Sequence, residues 1–207
     1  MKYIKISFTL LWLLSIPAYS ADTGGHLLGG SAKSPIKIEV FSDLECPHCR
    51  EFYINVIRPV LRDYSSKGSV SVVYYEFPLN QHKYAREAAF YTEAASRISQ
   101  ELLLKTYETI FREQADWAEK GKLEGKLEAV LSKALPGEVP KLKKIMQDPS
   151  VNAAIKKDME LADKNKITGT PTLLISYPPG KQQRVELSNG PLVYDTLKRF
   201  IDEALKR

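Results

Sequence analysis

Two cysteines, three histidines and eleven glycines are all that 207 residues contain, and each scarcity narrows what the chain can be. Two cysteines cannot build a disulfide-stapled scaffold, and a chain this long does not need one, because it can bury a full hydrophobic core. A second Cys pair is missing, and so is any His-x₃₋₅-His pair. A zinc site would therefore have to combine both thiolates with two of the scattered His26, His48 and His82, which is not a zinc-ligand spacing. The low glycine content and the 43% hydrophobic, 27% charged composition exclude collagen-like, low-complexity and disordered classes. Internal repeats are also absent. Charge of one sign is scarce as well: the net charge is +5, and Lys141, Lys143 and Lys144 are followed by Asp148 and Asp158. That mixture describes a solvated helix face and gives no reason to expect a nucleic-acid partner.

The one markedly apolar run lies at the N-terminus. Lys2 and Lys5 precede Phe8, Leu10, Leu11, Trp12, Leu13, Leu14 and Ile16, and Pro17 ends the run. Ala18 and Ser20 place small residues three and one positions before a cut between Ser20 and Ala21, the pattern of a secretory signal peptide over residues 1–20. The run is shorter than the roughly 20 apolar residues that span a bilayer, which argues against a permanent anchor. Without Lys2 and Lys5 the net charge falls to +3. Export would put both cysteines in an oxidising, extracytoplasmic compartment such as a periplasm.

Past the leader, Ile36, Ile38 and Val40 alternate with Lys37, Glu39 and Phe41, which predicts a strand over 35–42. Phe52, Val56, Val60, Leu61 and Tyr64 then recur at helical spacing up to Gly68, predicting a helix over 47–66 that Pro59 should kink. SVSVVYYEF, residues 69–77, reads as a buried strand. Strand, helix, strand is a βαβ unit with parallel strands. Residues 81–165 read as wholly helical, broken at Gly121, Pro136-Gly137, Pro140 and Pro149. A strand over Thr172–Tyr177 and another over about Gln183–Leu187 flank Pro178-Pro179-Gly180-Lys181 as a hairpin. Asn189-Gly190-Pro191 opens a final helix carrying Leu192, Leu197, Phe200, Ile201, Ala204 and Leu205 on its apolar face.

Cys46-Pro47-His48-Cys49 sits where the first strand of this βαβ unit meets the helix. That is the redox spacing, and the location has a physical logic. Unpaired N–H groups and the positive end of the helix dipole should stabilise a thiolate on Cys46 and lower its pKa. Cys49, one turn on and more buried, is placed to resolve, and His48 can add positive charge beside the sulfurs. A stabilised thiolate leaves readily, which points to an oxidant. A purely structural disulfide is the other use of such a pair, but a loop this short constrains little of the unfolded chain. Thr170-Pro171 enters the later strand and is a candidate cis turn.

FSDLECPHCREF, FPLNQH, the Ala-rich helix that follows, Asp116-Trp117 and ITGTPTLLI together resemble the DsbA-like branch of thioredoxin-fold oxidoreductases over nearly the whole chain past the leader. The resemblance implies an α/β thioredoxin fold with an inserted all-helical domain. Its two thioredoxin parts would span 21–79 and 166–207, with the insertion over 80–165. It implies Cys46 as nucleophile, Cys49 as resolving thiol, His48 within the Pro47-His48 dipeptide as pKa modulator, and Thr170 and Pro171 as the substrate-docking pair. It implies cysteine-containing secreted clients and a membrane-bound reoxidising partner, and no metal or organic cofactor is needed. A reductase or isomerase would use the same motif at a different redox poise. Isomerases of the family commonly carry a dimerisation domain, for which the residues between Ala21 and the first strand leave no room, which argues against the isomerase; a monomer is expected. A peptide-binding or chaperone-like module with a passive disulfide is the reading of another class.

One position departs from the family pattern. Val40 stands six residues before Cys46 where relatives carry a buried acid, and strand alternation turns the adjacent Glu39 to the other face. Asp43 and Glu45, which flank the pair, are expected to be solvated loop charges. Nothing in the sequence assigns His26 or His82 a role.

Overall fold

The computed structural model describes residues 24–177, 181–186 and 194–206. The expected signal peptide, the turn at 178–180 and the Asn189-Gly190-Pro191 helix start with Leu192 lie outside these residues. At the centre is a five-stranded sheet of order β1-β3-β2-β4-β5, formed by β1 (His26–Gly29), β2 (Ile36–Ser42), β3 (Val70–Glu76), β4 (Thr172–Tyr177) and β5 (Lys181–Glu186). Strands β2 and β3 run parallel in register from Ile36↔Val70 to Ser42↔Glu76, and every other neighbouring pair is antiparallel.

The period-two reading holds on both faces of the sheet. Ile36, Ile38, Val40, Val70, Val72, Tyr74, Leu173 and Ile175 pack into the main core with the cysteines. Phe41, Val73, Tyr75 and Leu174 form the opposite layer with Ala162 and Ile167. Because both faces are covered, all seven residues of β3 are buried, which is why its sequence reads as a continuous apolar and aromatic run rather than an alternation.

The crossover from β2 to β3 departs from a single kinked helix. Its segments are α1 (Pro47–Phe52), a π-helical turn (Tyr53–Ile57) and α2 (Arg58–Asp63). Pro59 cannot donate a backbone hydrogen bond, and the chain accommodates it by widening one turn upstream, where Arg58 N–H reaches back to the carbonyl of Tyr53. A short 3₁₀ turn then ends at Gly68, whose φ of 75° is the left-handed stop that glycine favours.

Six helices stand between β3 and β4: α3 (Ala85–Ser96), α4 (Gln100–Arg112), α5 (Gln114–Lys120), α6 (Leu123–Ala134), α7 (Glu138–Met146) and α8 (Pro149–Lys164). Ser99 caps α4 by accepting from Leu102 N–H at 3.1 Å, and Asp148 caps α8 from Ser150 N–H at 2.8 Å. Trp117 is fully buried and donates its indole N–H to the Ile110 carbonyl at 2.8 Å, joining α5 to α4. Asp158 on α8 accepts from Gly25 N–H and Glu76 N–H, both at 2.9 Å, and so fastens α8 to the edge of the sheet. The last helix, α9 (Tyr194–Ala204), buries Leu197, Ile201 and Ala204, with Phe200 partly buried, but Leu205, expected on the same apolar face, lies past the end of the helix and is exposed.

Strand β1 is not anticipated by the sequence. HLLG has neither the length nor the alternation to stand out, and it becomes a strand only because β3 offers it an open edge. Gly30 makes that approach possible. A Cβ there would lie 2.2 Å from the Val70 carbonyl oxygen, so no other residue fits.

Candidate active site: a split pair of thiols at the start of a helix

Cys46 occupies the cap position of α1, in extended conformation, with Pro47 at the first helical position. Both cysteines are free thiols and both are buried, Cys49 completely. Their environments pull the two apart. The Cys46 pKa is lowered from 9.0 to about 5, first by the hydrogen bond from Cys49, against the opposing effect of burial. The N–H groups of Cys49 and His48 and the Thr170 side chain add to the lowering. Cys49 moves the other way: burial and the neighbouring Cys46 sulfur push it well above 9.0, with Ser42 and Thr170 pulling weakly back. One turn of helix therefore holds a thiolate and, beneath it, a thiol that keeps its proton.

The contribution of His48 differs from the expected one. Its side chain is exposed beside Pro47, and the group that favours the Cys46 thiolate is its main-chain N–H, one of the unpaired donors of the first helical turn. Thr170 and Pro171 do arrive across from the pair. The Thr170–Pro171 peptide is cis, Pro171 is buried, and Cys46 Sγ lies 3.8 Å from the Thr170 carbonyl oxygen, to which it donates only as the protonated thiol. Thr172 Oγ1 donates to the Gly169 carbonyl at 2.7 Å and ties the approach to this turn.

Asp43 corrects the expectation of a solvated charge. It is fully buried and its carboxylate holds the loop that presents Cys46. Oδ1 accepts from Glu45 N–H at 2.7 Å and Cys46 N–H at 3.1 Å. Oδ2 accepts from Leu79 N–H at 2.6 Å and pairs with His82 Nδ1 at 2.9 Å. Glu45 is likewise engaged, accepting from Tyr84 N–H at 2.5 Å. The rarity of buried, unpaired carboxylates is respected here by pairing rather than by exposure. The spacing from Asp43 to the N–H groups two and three residues on is an Asx-type turn, a signal the sequence does carry. Gln114, which nothing in the sequence singles out, reaches in from α5 and donates to the carbonyls of Leu44 at 2.7 Å and Cys46 at 3.1 Å.

Val40 is fully buried in the same core as Cys49. Glu39 does face away, bonded to Lys37 at 2.7 Å and to the Tyr75 hydroxyl at 3.0 Å. A buried acid lies on the next strand instead: Glu76 accepts from Tyr107 OH at 2.6 Å and Thr92 Oγ1 at 2.8 Å. His26 is buried beside it, bonded to Tyr107 OH and to Glu93, both at 2.8 Å. Burial alone would lower the His26 pKa, but Glu76 and Glu93 outweigh it and raise it to about 10. Among the described residues no three His, Cys, Asp or Glu side chains converge as metal ligands, and no helix is long and apolar enough to cross a membrane.

A mixed sheet with a helical insertion, a Cys-x-x-Cys pair at a helix start and a cis-proline turn against the sulfur define a thiol–disulfide oxidoreductase of the DsbA-like kind. The chain belongs to the thioredoxin family, whose model, described as Thioredoxin, matches residues 22–203. Its relatives include the probable disulfide bond formation protein D of Bacillus anthracis, 27% identical over 182 residues that cover 86% of this chain and 77% of that one. Solved structures with the same fold include Wolbachia pipientis alpha-DsbA1, with a TM-score of 0.69 at 21% identity, covering 86% of this chain and 89% of that one. Oxidised BdbD from Bacillus subtilis has a TM-score of 0.66 at 22% identity, covering 89% and 98%.

Proposed function

We propose that the protein is an exported dithiol oxidase that donates the Cys46–Cys49 disulfide to cysteine-containing secreted proteins. The observation that carries this reading is the opposed tuning of the two thiols, with Cys46 near 5 and Cys49 well above 9.0. A client thiolate attacks Cys46 Sγ of the disulfide, forming a mixed disulfide and expelling Cys49 sulfur. A second client thiol then attacks the client sulfur. The client disulfide forms, Cys46 departs as a stabilised thiolate, and Cys49 keeps a proton. Two client thiols lose two electrons and the enzyme gains them. A thiolate that is favoured in the reduced enzyme drives the transfer towards client oxidation. Thr170 and Pro171 would hold the client backbone beside Cys46, and the names of the relatives, disulfide bond formation proteins, agree with this direction.

The basic and apolar leader over residues 1–20 supports export, and a membrane-bound partner would return the pair to the disulfide. Equilibration with a glutathione buffer tests the direction. An oxidase requires a standard potential well above the roughly −270 mV of thioredoxin, and a value at or below it would make the enzyme a reductase. Replacing Cys49 with Ala should trap client mixed disulfides on Cys46, and failure to trap any would overturn the order of attack.

A further inference from the structure

Opening the disulfide places negative charge on Cys49, a sulfur with no exposure at all, and the residue six positions before Cys46 is the apolar, buried Val40. What surrounds that sulfur is specific. Asp43 N–H points at Cys49 Sγ from 3.4 Å. Thr170 approaches from the cis-proline turn, Cys46 from above, and Ser42 from the last position of β2. Tyr74 on β3 is within electrostatic reach.

Three hydroxyls of this set, Ser42 Oγ, Thr170 Oγ1 and Tyr74 OH, are buried with no hydrogen-bond partner among the described residues, and Ser42 is the one that leads directly on from the strand to the Asp43 N–H that touches the sulfur. Ser42 is 2% exposed, and its Oγ forms no hydrogen bond with any described group. A buried hydroxyl without a partner is costly, and native proteins keep few of them. The carboxylate across from it on β3 does not serve it. Glu76 is the register partner of Ser42, but its Oε1 accepts from Thr92 and Tyr107 and no hydrogen bond joins it to Ser42. Of the groups around Cys49 that favour its ionised form, against the larger opposing effects of burial and of Cys46, Ser42 is the foremost.

We propose that Ser42 is a catalytic residue whose hydroxyl donates its one hydrogen bond to the Cys49 sulfur as that atom acquires charge, in both the opening and the closing of the disulfide. When an incoming thiolate bonds to Cys46 Sγ, the Cys46–Cys49 bond breaks and its electron pair passes to Cys49. Ser42 O–H and Asp43 N–H receive that charge, and the proton that later neutralises Cys49 comes from solvent or the next thiol. Ser42 is not itself deprotonated. Its hydroxyl is partnerless while Cys49 is neutral and bonded while Cys49 is charged, which is differential stabilisation of the transition state.

The inference deepens the oxidase reading and rests on the same pair, yet it fails separately, because it concerns rates that any redox direction shares. Reduced glutathione serves as the probe in stopped-flow. Opening is read as attack on the oxidised protein, and closing as expulsion of glutathione from the Cys46 mixed disulfide by Cys49. In Ser42→Ala both rates should fall by the same factor, about tenfold for a hydrogen bond to a charged atom, with the standard potential unchanged. Ser42→Thr retains the hydroxyl and should restore most of the loss. Should the extra methyl prevent folding, the paired rates of Ser42→Ala decide alone. Unchanged rates in Ser42→Ala, an equal loss in a folded Ser42→Thr, or a potential that moves because only one rate changes would each overturn the proposal. A wild-type potential near that of thioredoxin would overturn the oxidase reading and leave this rate comparison intact.

Discussion

Raising the pH from 6 to 8 should lower the standard potential of the Cys46–Cys49 couple by about 60 mV, half the roughly 120 mV of a pair of ordinary thiols. Reduction takes up two electrons and as many protons as the dithiol retains. With Cys46 near 5 and Cys49 well above 9.0, the reduced pair holds one proton throughout that window. A one-proton, two-electron couple falls by about 30 mV per pH unit, and below pH 5, where Cys46 is protonated too, the slope should steepen to about 59 mV. The assay is equilibration of the protein with glutathione buffers of fixed ratio, one series per pH, with the dithiol fraction read by alkylation. Cys49→Ala supplies a second measurement. The hydrogen bond from Cys49 is the largest influence lowering Cys46, so the alkylation midpoint of that variant should climb from about 5 towards 9.0. A slope near 59 mV across pH 6–8 would mean that both thiols are protonated at neutrality. The leaving-group argument for an oxidase would then have no basis.

Three other outcomes are expected. Asp43→Ala strands the N–H groups of Glu45 and Leu79 and leaves Cys46 N–H only the main-chain carbonyl of residue 43; urea unfolding should show a loss of about 3 kcal/mol, and an unchanged midpoint would return Asp43 to the surface role its sequence suggests. The charged form of His26 is favoured in the folded state, so its contribution is complete below pH 6.5 and is lost as pH rises through about 10. Stability measured by urea should fall across that window by at most about 5 kcal/mol, and His26→Gln should flatten this part of the profile. Trp117→Ala empties a fully buried site between α4 and α5 and should cost about 3–5 kcal/mol by thermal or urea unfolding. A loss under 1 kcal/mol would mean that the insertion packs without it.

Local pattern was sufficient wherever a residue's role depends on its near neighbours. Ile36, Ile38 and Val40 alternate with the half-buried Lys37 and Glu39 because one face of β2 meets the main core, and that period is written in five consecutive residues before Phe41 is buried on the other face. Cys46 and Cys49 are one turn apart, so their meeting follows from the helix, and the dissimilar environments of a cap position and a buried third residue follow with it. Gly68 and Gly121 stop helices for reasons carried by glycine itself.

The tertiary structure decided whatever depends on a partner far along the chain. Asp43 is a buried clamp and not a loop charge because Leu79 and His82, more than thirty residues on, bring donors to it. His26 is a buried cation because Glu76 and Glu93 converge on it, and HLLG is a strand because β3 has a free edge. The Cys-x-x-Cys pair and the direction of its asymmetry were legible from spacing and helix position, but the distant groups that surround the two sulfurs were not. The Thr170 turn, the Gln114 contact with the Cys46 carbonyl and the unpartnered Ser42 hydroxyl come from β2, α5 and the approach to β4. Burial and hydrogen-bond satisfaction are properties of the assembled interior, and no local periodicity encodes them.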